Sequence, residues 1–313
     1  MMERIKMSFK PLKGMKIIDL SHRLPGPLCG KILTDLGAEV IKIEDHVFQD
    51  PFLSGLFAQF DSSFVSWYEN LNAGKKIERF DFNSSIDQMK IHELVTNADA
   101  VIMGLPPKTR EKLKITDLDL TLKRPMVVIE LLASAHEKKS MHDLNALAMT
   151  GLLSLYVADE KKKIVDPPFL PIAGISFGHK AATDLLAAYI SSTKENKTQF
   201  VKTYLDQVTK DLLGIFWPEA DRNSGRKKFL HNGIYPCYSL YQTKDLKYVA
   251  LAAVEEKFWN RFCEVFGFST SFDRFYNKDR ALFNKISDEI HKHTQSEIES
   301  MIKDEDLCLS IIR

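Results

Sequence analysis

Met15-Lys-Ile-Ile-Asp-Leu20 and Val40-Ile-Lys-Ile-Glu44 are short apolar runs of strand character. Between them lie a loop, Ser21-His-Arg-Leu-Pro-Gly-Pro27, and a helical pattern from Leu28 to Leu36 that Gly37 closes as a C-terminal cap. Strand, helix and strand within about thirty residues make a right-handed βαβ unit. Such a unit predicts a parallel sheet with a ligand at its strand ends. Glu44 stands where a dinucleotide-binding fold places its ribose acid, but the loop is not Gly-x-Gly-x-x-Gly. A nicotinamide or flavin site is therefore rejected.

Further along, residues 48–74 are aromatic-rich and irregular in pattern, and read as a loop or short helices covering the sheet. An amphipathic helix is expected over 86–97, with strands over 98–103 and 126–132. Lys161-Lys-Lys163 reads as a solvated turn, and Phe169 to Ile175, after Pro167-Pro168, as extended chain. A long Ala- and Leu-rich helix is expected over 179–192, then strand and helix from Gln199 to Val208. The composition shifts at Pro218 to His231, read as a linker that divides a large domain, 1–225, from a small one, 226–313. In the small domain, Tyr238–Tyr241 and Tyr248–Ala252 flank a turn and predict a hairpin, followed by a helix near Glu255-Glu256. The fold class expected is α/β: a Rossmann-like large domain with a parallel sheet plus a small α+β domain.

The stretch with the clearest chemical content is Ser140-Met-His-Asp-Leu-Asn-Ala-Leu-Ala-Met-Thr-Gly151. Ser140 and Asp143 suit a Ser-x-x-Asp variant of the capping box, and Leu144, Leu147, Ala148, Leu152 and Leu155 recur at helical spacing. The pair His142-Asp143 then sits at a helix start, beside N–H donors, where a neutral imidazole can act as a base near a developing oxyanion. The bland alternative is a capped helix that happens to carry a His in its first turn.

Composition limits the function classes. The chain has 313 residues, with 43 Lys+Arg against 42 Asp+Glu, so no nucleic-acid or acidic-membrane surface is implied. No apolar run is long enough to span a membrane, and the N-terminus lacks a signal-peptide core. The scattered Cys29, Cys237, Cys263 and Cys308 read as reduced thiols of a cytoplasmic protein, and no metal-ligand cluster is evident.

Several stretches resemble family III CoA-transferases, the CaiB/BaiF family, and within it the α-methylacyl-CoA racemases. Pro11-Leu-Lys-Gly-Met-Lys-Ile-Ile-Asp-Leu-Ser21, Gly26-Pro27 and Leu33-Thr-Asp-Leu-Gly-Ala-Glu-Val-Ile-Lys-Ile-Glu44 are similar to the family's opening signature. His142-Asp-Leu-Asn145, Asn97-Ala-Asp-Ala-Val-Ile102 and the stretch around Val254-Glu-Glu-Lys-Phe-Trp259 resemble racemase segments. The resemblance implies an acyl-CoA thioester as substrate, no permanently bound cofactor and a homodimer. It also implies deprotonation at the thioester α-carbon, with His142 as base, Glu255 holding its tautomer and Asp143 in support. For CoA phosphates it offers Lys42, Lys75, Lys76 and Lys108. One departure stands out. The family's second acid, which is also the transferases' nucleophile, falls at Ala173 or Gly174 in Pro171-Ile-Ala-Gly-Ile-Ser-Phe-Gly178, where there is no Asp. The alternatives are a catalytically inactive relative that binds acyl-CoA or a partner subunit, and a CoA transferase with a displaced nucleophile, Asp143 or Asp166 being nearby. A family C-terminal return segment also has no counterpart after Asp306-Leu-Cys308.

Overall fold

The computed structural model describes residues 9–121, 124–136, 141–156, 164, 167–168, 170–216, 230–276 and 278–313. Ser140, Lys161–Lys163, Asp166 and most of the expected linker lie outside the described residues. The chain divides into two compact units, Met1–Asn223 and Ser224–Arg313.

In the first unit six strands form one parallel sheet: β1 (Lys16–Leu20), β2 (Glu39–Asp45), β3 (Lys76–Phe80), β4 (Ala100–Met103), β5 (Val127–Leu132) and β6 (Gln199–Tyr204). Their order is β3-β2-β1-β4-β5-β6, the doubly wound order that reverses between β1 and β4. Alternation along the strands feeds two cores. Ile17, Val40, Ile102 and Ile129 pack under α1 (Pro25–Asp35) and the α9 helix (Ile172–Glu195), and α10 (Leu205–Phe216) follows β6. Ile18, Ile43, Val101 and Val128 pack under α4 (Ser85–Thr96) and the short α5 (Pro107–Leu113) and α6 (Asp117–Thr121).

The aromatic stretch folds into short helices, α2 (Leu56–Phe60) and α3 (Ser63–Asn72), one of the two forms the sequence left open, with Phe52, Phe57, Phe64 and Trp67 in ring contact. Two elements differ from the sequence-based expectation. α1 begins at Pro25 rather than Leu28, because a proline at the first helical position has its φ already set and loses no hydrogen bond. α9 begins at Ile172, so Ile172–Gly178 is helical and not extended. Its glycines are close-packing positions against α1 and the residue before it. A Cβ on Gly178 would lie 2.9 Å from the Pro25 carbonyl oxygen, and one on Gly174 would lie 2.8 Å from Leu24 Cδ2.

The second unit holds a three-stranded antiparallel sheet, β7 (Tyr238–Gln242), β8 (Tyr248–Ala252) and β9 (Leu309–Ile311), in that order. α11 (Glu256–Phe266), α12 (Ala281–Ile290) and α13 (Gln295–Met301) cover it, with Trp259, Phe262, Phe283 and Ile286 in the core. The hairpin and the helix after Glu255 are as the sequence implied.

Candidate functional site

The C-terminal ends of β1, β4 and β5 open into a cleft of about 960 Å³ in the first unit. Ser21, Gly104 and Ala133 form part of its lining at the strand ends, and Val47, Phe48, Phe57 and Trp67 form an apolar wall. This is the crevice at the topological switch point, where open α/β sheets bind their ligands. The strand ends approach closely: a Cβ on Gly104 would lie 3.0 Å from Ser21 Cα, and one on Gly26 only 2.1 Å from Ser21 Oγ.

His142 and Asp143 both line this cleft. They stand at the start of α7 (Asp143–Met149), but the local structure differs from the expected capping box. His142 itself is the N-cap, and its backbone N–H donates to Asn145 Oδ1 at 3.1 Å. The helix ends after seven residues, because Gly151 takes φ +87° before α8 (Leu152–Tyr156) begins. Leu144 is therefore exposed, while Ala146 and Leu147 are buried. Two turns of helix align few peptide dipoles, so the positive helix end next to His142 is weaker than the sequence suggested.

The longer helix supplies that charge instead. Asp143 Oδ1 accepts the N–H of Gly174, in the first turn of α9, at 2.7 Å. A carboxylate at the N-terminus of a 24-residue helix meets both free N–H donors and the positive end of the macrodipole. Partial burial pushes the Asp143 carboxyl above its ordinary value despite the N–H groups of Gly174 and Ala173, which act the other way. The same carboxylate lies 3.7 Å from the point a Gly174 Cβ would occupy. The segment that lacks an Asp thus has one delivered to it from α7.

The four expected phosphate-binding lysines are placed otherwise. Lys42 is fully buried in β2; its ammonium donates to the Ser21 carbonyl at 2.6 Å and lies 3.4 Å from Asp50 and 3.7 Å from Glu44. Lys75 is likewise enclosed, donating to Asp19 (2.9 Å), the Pro27 carbonyl (2.8 Å) and Asn72 Oδ1 (2.9 Å). Both ammonium groups are committed to internal partners and neither is presented to a phosphate. Lys76 begins β3, at the opposite end of the sheet from the cleft, and pairs with Glu78. Lys108 is exposed on α5 and is not among the cleft-lining residues. Glu255 belongs to the second unit, where it precedes α11 with extended backbone, φ −73° and ψ 145°.

Asp19, Glu44 and Asp50, all buried, face Lys42 and Lys75, which are enclosed with them, and the exposed Arg79, which reaches in to Glu44. Burial alone would raise the Asp19 carboxyl, but Lys75, Lys42 and the Ser21 hydroxyl outweigh it and hold the pKa at about 2. Glu44, which a dinucleotide fold would point at ribose, is here buried and bonded to Arg79 Nε at 3.1 Å. His22, on the cleft lining, has its pKa lowered by burial and by Lys42, and among the described residues its Nε2 has no hydrogen-bond partner. Asp45, His46 and Asp81 bring possible ligand atoms within 4.8 Å of one another. Asp45, however, already accepts the N–H groups of Val47, Phe48 and Phe82. Among the described residues no helix is long and apolar enough to cross a membrane.

The first unit is thus a doubly wound α/β sheet with a His-Asp pair lining its switch-point cleft. Residues 12–313 match the model for CoA-transferase family III, and the chain belongs to that family. A CaiB/BaiF CoA-transferase family protein of Caenorhabditis elegans is 25% identical over 80% of this chain and 71% of its own length. The α-methylacyl-CoA racemase of Mus musculus is 24% identical over 79% of this chain and 62% of its own length. In fold, the chain is similar to a CaiB/BaiF family protein of Brucella suis, with a TM-score of 0.77 and 20% identity over 97% of this chain and 84% of that one.

Proposed function

We propose that the cleft receives the acyl end of a CoA thioester and that His142 is the base that removes its α-proton. The observation that carries this reading is the imidazole and half-buried carboxyl of His142 and Asp143, side by side on the wall of a switch-point cleft. The thioester carbonyl acidifies the α-carbon, and an imidazole is suited to take that proton near neutral pH. Asp143 supports it: anchored on α9, its carboxylate fixes the chain at His142 and supplies the negative charge that an imidazolium would need. No second acid–base group stands at Ala173 or Gly174, so proton chemistry is expected on one face of the α-carbon. No resident cofactor is required for it.

The test is NMR of each enantiomer of a 2-methylacyl-CoA in deuterated buffer with chiral analysis of the product. Solvent deuterium should enter the α-position of one enantiomer with retention. Racemisation should lag exchange by ~10²–10⁴-fold, the usual cost of a missing acid–base partner. His142→Ala should abolish the exchange. An absence of exchange with either enantiomer, binding being demonstrated, would favour a non-catalytic acyl-CoA-binding role.

A second reading is favoured by one observation, the Asp143 carboxylate seated against Gly174. It is transfer chemistry with Asp143 as a displaced nucleophile. The carboxylate would attack the thioester carbonyl to form an anhydride and expel CoA thiolate. The thiolate would then attack the Asp143 carbonyl of the anhydride, releasing the free acid and leaving an enzyme–CoA thioester. Intact mass after incubation with acyl-CoA separates the two readings: an adduct lost in Asp143→Asn supports transfer, and its absence supports proton abstraction alone.

A further inference from the structure

We propose that Arg23 is an anion anchor in the cleft and that it selects acyl groups carrying a second carboxylate. The proposal rests on the CoA-thioester reading for the identity of the acyl carrier, but the anchor itself rests on the geometry of residue 23.

Arg23 stands at φ +66°, in the left-handed region that side-chain-bearing residues enter at a steric cost. The structure holds it there. Asp50 Oδ2 accepts the Arg23 N–H at 2.9 Å, and Asp50 is itself fully buried and 3.4 Å from the Lys42 ammonium. A strained backbone secured by a buried ion pair is a feature of sites where one side chain must be aimed. The side chain so aimed is exposed, and its guanidinium carbon lies 5.7 Å from the centre of the Phe57 ring on the apolar wall. Among the described residues the guanidinium makes no ion pair, and Arg23 is the only Lys or Arg on the cleft lining.

The place where doubly wound folds usually hold an anion is closed. The first turn of α1 includes Pro25 and Pro27, which have no N–H to offer, and the Ser21 side chain is packed on Gly26 between them. Lys42 and Lys75, as shown above, are committed inside the fold. Charge recognition in the cleft is therefore left to the Arg23 side chain, whose planar fork matches a carboxylate.

Arg23 and His142 line the same cleft. A Cβ on Gly174 would touch Leu24 on one side, at 2.8 Å, and approach the Asp143 carboxylate on the other, at 3.7 Å. Leu24 follows Arg23 and Asp143 follows His142, so the chain neighbours of both residues meet at Gly174. The diphosphate of CoA is separated from its thioester by the whole pantetheine arm. An anion that meets Arg23 while the α-carbon meets His142 is accordingly carried by the acyl group.

Calorimetric titration with succinyl-CoA and butyryl-CoA tests this, the two differing in a terminal carboxylate. The wild-type protein should bind succinyl-CoA ~10-fold or more tightly than butyryl-CoA. In Arg23→Gln the ratio of the two dissociation constants should collapse towards one. Arg23→Gly, which accepts φ +66° without strain, should do the same while keeping the wild-type melting temperature or exceeding it. No preference in the wild type, or a ratio that Arg23→Gln leaves unchanged, overturns the proposal; the latter includes parallel weakening of both thioesters and of CoA, which would mean that Arg23 meets a CoA phosphate. Binding of free succinate followed by NMR separates the two readings. Succinate binding lost in Arg23→Gln, with no binding of any CoA thioester, keeps the anchor and removes the CoA reading. Tight binding of butyryl-CoA with no preference for succinyl-CoA keeps the CoA reading and removes the anchor.

Discussion

Replacing Lys75 by Met should destabilise the first unit by about 3–5 kcal/mol at pH 7, the usual cost of breaking a buried ion pair from one side. The ammonium is fully enclosed and donates three hydrogen bonds, to Asp19, the Pro27 carbonyl and Asn72. Its removal leaves the Asp19 carboxylate buried with only Ser21 and the more distant Lys42 to hold its charge. The effect has a pH signature with a definite sign. In the wild type the Asp19 pKa is depressed from 3.8 to about 2. That depression contributes roughly 2 kcal/mol of stability above the unfolded-state pKa, lost as pH falls through the folded value. In Lys75→Met burial is opposed only by Lys42 and Ser21 and the Asp19 pKa rises, so the penalty is present at neutral pH and fades in acid. The gap between variant and wild type should shrink by roughly 1 kcal/mol or more between pH 7 and pH 3. Urea unfolding of both proteins at several pH values measures it, and Asp19→Asn in a double-mutant cycle isolates the coupling. A gap below ~1 kcal/mol, or one that ignores pH, would refute the assignment of Lys75 to the interior and restore it as a candidate phosphate ligand.

Other expectations concern the cleft. Asp143→Asn should leave stability unchanged or slightly raised at pH 7, because the amide Oδ1 can still accept the Gly174 N–H while the burial cost that raises the Asp143 pKa is relieved, read as an equal or higher urea midpoint. Gly174→Asp should fold after a small shift of the Leu24 side chain and should raise racemisation relative to exchange, measured by chiral analysis. Ala173→Asp should instead unfold the protein readily, since Ala173 is fully buried in an apolar cluster, and circular dichroism melts separate the two. Gly151→Ala should cost ~1 kcal/mol because φ +87° excludes a Cβ without strain, read from the melting temperature.

Much of the fold was legible because it depends on local pattern. The apolar runs of β1 and β2, the Gly37 cap and the βαβ spacing foreshadowed a parallel sheet, and the Tyr-rich hairpin foreshadowed the second unit. The misreadings have two causes. Pro25 and Pro27 are breakers inside a helix but fit its first turn, a local preference that extends α1 towards the loop. Gly174 and Gly178 disfavour a helix by propensity, yet they let α1 and α9 approach, and what decided them was contact between elements more than a hundred residues apart.

The site divides in the same way. His142 and Asp143 were visible as a polar pair at a helix start, and the missing Asp at 173–174 was visible as an absence. That Asp143 reaches Gly174 was not visible, because nothing in a linear sequence joins the first residue of α7 to the first turn of α9. The lysines show the limit most plainly. A Lys in a sequence is a charge available to any anion, but Lys42 lies on a strand face turned inward and Lys75 on a loop folded beneath α1, so each ammonium finds its carboxylate inside the protein. Arg23 carried no pattern at all. Its positive φ, its bond to Asp50 and its place on the cleft exist only once β1, β2 and α1 are assembled. Local sequence chose the secondary structure and the candidate base; tertiary packing chose which charges are spent within the fold and which remain for a ligand, because burial and partners, not residue type, determine where a charge can act.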